Sequence, residues 1–124
     1  MKNFINLKDI PAKDLRKILE DAKKRKNKRK KLSTLDVDKD KPLKGKLIIQ
    51  IYEKQSSRTR LSFHLSIAQL GAGSITIKAN ELHLGQGGET LADTAKILST
   101  YADGFMIRAT SDKKIEDFSK SLTI

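Results

Sequence analysis

Ser56-Ser57-Arg58-Thr59-Arg60 follows an almost unbroken apolar run, residues 47–52, and opens a segment with helical apolar spacing. A strand, a short hydroxyl-rich turn and a helix make a suitable seat for a phosphate. The helix N-terminus offers unpaired backbone N–H groups and the positive end of the helix dipole, and nearby hydroxyls and guanidinium groups add directed donors. Arg108 ends a second apolar run, 104–107, and can bring another guanidinium to the same edge. Two arginines on one crevice suit a dianion, because each stays charged and offers paired N–H donors. The same residues also fit a plain helix cap flanked by surface arginines.

Other chemistry is bounded by composition. There is no cysteine, so disulfides, thiolate metal sites and thiol nucleophiles are excluded, and no metal or cofactor is expected. The net charge is +11, but residues 23–31 hold eight basic side chains and carry most of that surplus. Without interleaved aromatics to stack on bases, this tract reads as a solvated helix end rather than a nucleic-acid surface. No stretch approaches the apolar length of a membrane span, and the N-terminus lacks a signal-like apolar core. A cytoplasmic protein with no membrane partner is the expectation.

The elements that would position these residues alternate. Pro11 suits the first residue of a helix carrying Leu15, Ile18, Leu19 and Ala22, whose apolar stripe ends at the basic tract. Residues 32–46, with Pro42 and Gly45, read as a loop. Residues 47–52 read as a strand buried on both faces. The next helix, from Arg58, has a broad apolar face including Leu61, Phe63, Leu65 and Ile67, which predicts good packing; Gly71-Ala72-Gly73 stops it. A strand over 74–78 follows, then a glycine-containing loop over 79–89. Thr90 and Asp93 resemble a capping box, residues 104–108 form a third strand, and a last helix begins near Ser111 or Asp112. The order αβαβαβα implies a parallel sheet with helices on both faces. The 124 residues fit one domain.

With these motifs in order, the chain resembles the aspartate and ornithine carbamoyltransferases. Glu53-Lys54-Gln55-Ser56-Ser57-Arg58-Thr59-Arg60-Leu61-Ser62-Phe63 is similar to the family's carbamoyl phosphate signature. The stretches from Leu82 to Ala95 and from Tyr101 to Arg108 are similar to the ornithine branch. The resemblance runs from Phe4 to Ile124. It implies that Ser56, Ser57, Arg58 and Thr59 grip the phosphate of carbamoyl phosphate and that Arg108 reaches both phosphate and carbamoyl oxygen. Arg58 and Arg108 are thereby the implied catalytic residues. The implied reaction is attack of the ornithine side-chain amine on the carbamoyl carbon with departure of phosphate, giving citrulline, in a homotrimeric enzyme.

The departures from the family pattern carry expectations of their own. The family continues past the point matching Ile124 into a further strand, a His-Pro-Thr-Gln motif and a second, ornithine-binding domain. The chain is therefore expected to be a C-terminally incomplete carbamoyl phosphate domain, inactive alone and prone to self-association. A truncated relative that only binds phosphate or supplies oligomer contacts is the alternative. His64 stands where the signature usually has glutamate. His83 stands where ornithine enzymes often have glutamine, and Gly87 where the aspartate branch has lysine, which favours ornithine. The resemblance makes His83 and Gln86 candidates for a loop that reaches a neighbouring subunit's site.

Overall fold

Six residues, five of them apolar or aromatic, form strand β1, Leu47–Tyr52, at the centre of the sheet. The structure, a computed structural model, describes residues 3–82 and 90–124. Strand β2, Gly73–Lys78, and strand β3, Gly104–Arg108, flank β1, and both pair with it in parallel. The order β2-β1-β3 requires two crossovers running in opposite directions. With right-handed crossovers, helix α2, Ser57–Gln69, takes one face of the sheet and helix α3, Leu91–Ser99, the other. An α/β fold with a parallel sheet flanked by helices is thus observed, as the alternation implied.

Side chains alternate across β1, so its two faces see different partners. Ile49 and Ile51 join Ala79, Ala95, Ala102 and Phe118 in the buried core. Phe118 comes from helix α4, Asp112–Ser121, and meets Phe105 edge-on with ring centroids 5.7 Å apart. On the opposite face, Gln50 is completely buried and Tyr52 nearly so. The Tyr52 hydroxyl donates to Gln50 Oε1 at 2.7 Å, while Gln50 Nε2 has no partner among the described residues.

Helix ends follow local chemistry. Ser56, Thr90 and Ser111 each accept a backbone N–H from the first turn of the helix they cap. Gly71, at φ +98, ends α2: Ala72 N–H donates to the Ile67 carbonyl and Gly71 N–H to that of Ala68. Only a residue tolerant of positive φ closes a helix this way.

Three details differ from the sequence expectations. Helix α1, Ala12–Lys28, has Pro11 just outside it as the N-cap. Its basic end is also not simply solvated. Arg25 and Arg29, four residues apart and so on one helical face, reach the returning loop 36–40. Asp38 accepts from Arg25 at 3.0 Å and Arg29 at 2.6 Å, and Asp40 accepts from Arg25 at 2.9 Å. The six lysines of the tract are exposed. Finally, α2 is not well packed: Ile67 is its one buried residue, while Leu61 and Phe63 are 56% and 42% exposed. Its apolar arc is wider than the face a three-stranded sheet presents.

Candidate functional site

Strand register builds the site. The Cα of Tyr52, the last residue of β1, is paired with both Lys78 and Arg108, so the three strands end in one row. The carboxyl edge of a parallel sheet, where a helix N-terminus follows each strand, is where such folds collect ligands. Here that row faces the first turn of α2.

Ser56 is the N-cap, with extended φ −158 and ψ 105. Its Oγ accepts the Thr59 N–H at 3.4 Å and donates to Thr59 Oγ1 at 2.8 Å. Arg108 Nη1 donates to the same Thr59 Oγ1 at 3.3 Å. A hydroxyl oxygen has two lone pairs and one hydrogen. Both Thr59 lone pairs are therefore engaged, and its hydrogen is left to donate outward. The backbone N–H groups of Ser57 and Arg58, in the first turn, have no intrahelical acceptor. The Nε of Arg108 is buried and without a partner among the described residues. These donors surround a place for an anion.

A cleft of about 640 Å³ opens beside this turn, with Tyr52, Ser56, Ser57, Arg60, Lys78 and Lys114 on its walls. Arg108 lies on a smaller adjoining cavity of about 180 Å³, together with Glu53 and Lys114. Cations outnumber anions on these walls. Burial pushes the Tyr52 phenol above its ordinary value, against the opposing pull of Arg60 and Arg108, so it is a neutral group at physiological pH. The Glu53 carboxyl is held below its ordinary value by the Thr110 hydroxyl and by Lys114, and is ionised. A somewhat larger hollow, about 690 Å³, lies between α1 and α2. Its polar members include Arg25, Arg29 and Asp38, which already satisfy one another.

Of the residues singled out from sequence, Ser56, Thr59 and Arg108 are brought into direct contact. Ser57 is exposed and contributes to the cleft, whereas Arg58 is exposed and lines neither cavity. His83 and Gln86 lie outside the described residues. His64 is exposed and pairs with the Ser74 hydroxyl at 3.0 Å. Arg60 of the opening motif lines the cleft, and Lys78 and Lys114 join it from outside the motifs that the sequence singles out. The register of parallel strands could have indicated Lys78, and the spacing from the Ser111 cap could have placed Lys114 in the first turn of α4.

A model of the family described as "Aspartate/ornithine carbamoyltransferase, carbamoyl-P binding domain" matches residues 2–124. The chain belongs to the aspartate/ornithine carbamoyltransferase family. Within this carbamoyltransferase family, it is 43% identical to an ornithine carbamoyltransferase of Brucella ovis over 124 residues, all of this chain and 38% of the relative. Ornithine carbamoyltransferase from Pyrococcus furiosus superposes with a TM-score of 0.85 at 36% identity, covering 99% of this chain and 37% of that one. The catalytic subunit of M. jannaschii aspartate transcarbamoylase gives 0.82 at 31% identity, covering 100% and 39%. The chain thus spans about 38% of the length of the curated relatives it matches. Both branches of the family share its fold.

Proposed function

We propose that this chain is the carbamoyl phosphate-binding domain of an ornithine carbamoyltransferase and that Ser56, Ser57, Arg58, Thr59 and Arg108 bind carbamoyl phosphate. The observation that carries the reading is the contact of Arg108 with Thr59, which joins the end of β3 to the α2 N-terminus around unsatisfied donors. In this reading the phosphate takes the N–H groups of Ser57 and Arg58 and the Thr59 hydroxyl, and the Arg58 and Arg108 forks neutralise its charge. Arg108 also polarises the carbamoyl oxygen.

Rate enhancement then comes from position and preorganised charge. The ornithine amine attacks the carbamoyl carbon, the carbon–oxygen bond to phosphate breaks, and the same donors hold the leaving phosphate. Ornithine would be supplied by a second domain, in a cytoplasmic homotrimer where the loop bearing His83 and Gln86 serves a neighbouring subunit. The naming of these curated relatives as ornithine enzymes supports ornithine over aspartate. A product assay on two chimaeras tests this: the chain joined to the second domain of an ornithine carbamoyltransferase should make citrulline, and joined to that of an aspartate carbamoyltransferase it should make little carbamoyl aspartate. Carbamoyl aspartate as the main product would overturn the ornithine assignment.

A further inference from the structure

Glu53 is the first residue beyond β1, and it holds the backbone at Arg108 and two residues after it. Its N–H donates to the Arg108 carbonyl at 2.8 Å, extending the strand pairing by one bond past the end of β1. Its carboxylate then reaches across to the loop that leaves β3. There Oε1 accepts the Thr110 N–H at 3.1 Å and also the Thr110 hydroxyl. The Lys114 ammonium, from the first turn of α4, closes the arrangement at 3.0 Å to Oε1 and 2.9 Å to Oε2. One side chain therefore ties the end of the central strand to the residue two beyond Arg108 and to the following helix.

We propose that Glu53 is a positioning residue for the anion site, a latch that fixes Arg108 in the orientation that meets Thr59; this rests on the reading of Arg108 as a phosphate ligand. The Arg108 guanidinium is itself loosely held. It has the 3.3 Å bond to Thr59 and a buried Nε with no partner among the described residues. A long side chain with one hydrogen bond of its own among the described residues takes its direction from its backbone, and free rotamers cost affinity when a ligand must order them. The Glu53 carboxylate is 23% exposed, which shields its bonds more than those of a fully solvated pair. The Lys114 side chain, 56% exposed, is one arm, and the two Thr110 bonds are the other.

The test compares Glu53→Ala, which removes the side-chain arms and keeps only the backbone bond to Arg108, with Glu53→Gln, which keeps an oxygen acceptor for Thr110 but loses the charge facing Lys114. Inorganic phosphate is the probe, titrated by calorimetry, and the Arg108 Nε–H resonance is followed by NMR in the same samples. Glu53→Ala should weaken phosphate binding about tenfold, the scale of lost charge-assisted bonds, and should shift and broaden the Arg108 signal. Glu53→Gln should remain within about threefold of the native chain. Asp38→Asn, which loosens the α1 anchor far from the site, should lower the melting temperature without changing phosphate affinity. Native affinity and an unchanged Arg108 resonance in folded Glu53→Ala would overturn the latch, as would equal losses in Glu53→Ala and Glu53→Gln. If the native chain takes up no phosphate, the carbamoyl phosphate reading fails, and the Arg108 resonance still decides whether Glu53 orients that side chain.

Discussion

Arg108 Nη1 lies 3.3 Å from Thr59 Oγ1, although the two residues stand 49 positions apart. With Ser56 Oγ donating to the same oxygen at 2.8 Å, Thr59 has only its hydrogen left to offer a ligand. Thr59→Val keeps the shape, the helix and the Ser56 cap but removes that donor, together with the oxygen that Ser56 and Arg108 share. Phosphate affinity should fall about tenfold by calorimetry, with little change in the melting temperature. Unchanged affinity would remove Thr59 from the site.

Arg58 makes a separate prediction, because it is exposed and lines neither cavity. If it closes on the phosphate as a bidentate fork, lysine cannot substitute. Arg58→Lys should weaken carbamoyl phosphate binding by about tenfold despite retaining the charge. Near-native affinity would show that Arg58 is a surface residue.

The buried Gln50–Tyr52 pair tests the other face of β1. Tyr52→Phe leaves Gln50 Oε1 without its 2.7 Å donor, beside an Nε2 that has no partner among the described residues. The expected loss is about 1–3 kcal/mol of stability by denaturant unfolding. Replacing both residues, as Gln50→Met with Tyr52→Phe, removes every orphaned atom and should restore most of that loss. A double variant less stable than the single one would show that Gln50 has a partner beyond Tyr52.

Much of this fold is legible in the chain because its signals are local. The apolar run 47–52, the Thr90 cap and the glycine at 71 each act within a few residues, and the elements they mark form where spacing predicts. The meeting of the α2 turn with Arg108 also follows, since alternating strands and helices bring strand ends to one edge. Features set by long-range return are not legible. Nothing near Arg25 or Arg29 announces that loop 36–40 folds back to them, so the tract reads as uniformly solvated. Gln50 is hidden within a run that reads as apolar, and its role emerges only when Tyr52 is known to share its face. Glu53 belongs to a recognisable signature, but its partners Thr110 and Lys114 depend on the β3 register. The wide apolar arc of α2 misleads because periodicity reports which face is apolar, not how much sheet there is to cover it.

The anchor at Asp38 predicts an acid dependence. Burial pushes its carboxyl up, but hydrogen bonds from Arg29 and Arg25 outweigh this and hold it below the ordinary 3.8. As pH falls, the unfolded chain takes up this proton before the folded one, so the stabilisation present above 3.8 is lost as pH drops through the lower folded value. Melting temperatures measured from about pH 6 down to about pH 2 should decline steeply at the acid end. Asp38→Asn should be less stable at neutral pH and decline less steeply, the remaining slope coming from groups such as Asp40 and Glu53, which are also held low. Parallel curves for the two proteins would contradict the anchor.

The most direct test of the anion site is an NMR titration of the chain with carbamoyl phosphate, following backbone amides and arginine Nε–H signals together. The largest shifts should fall on the Ser57 and Arg58 amides and on Arg108 Nε–H, all with one midpoint, because one anion touches all three. Shifts confined to the lysines of residues 23–31, or separate midpoints for the α2 turn and Arg108, would contradict a shared site.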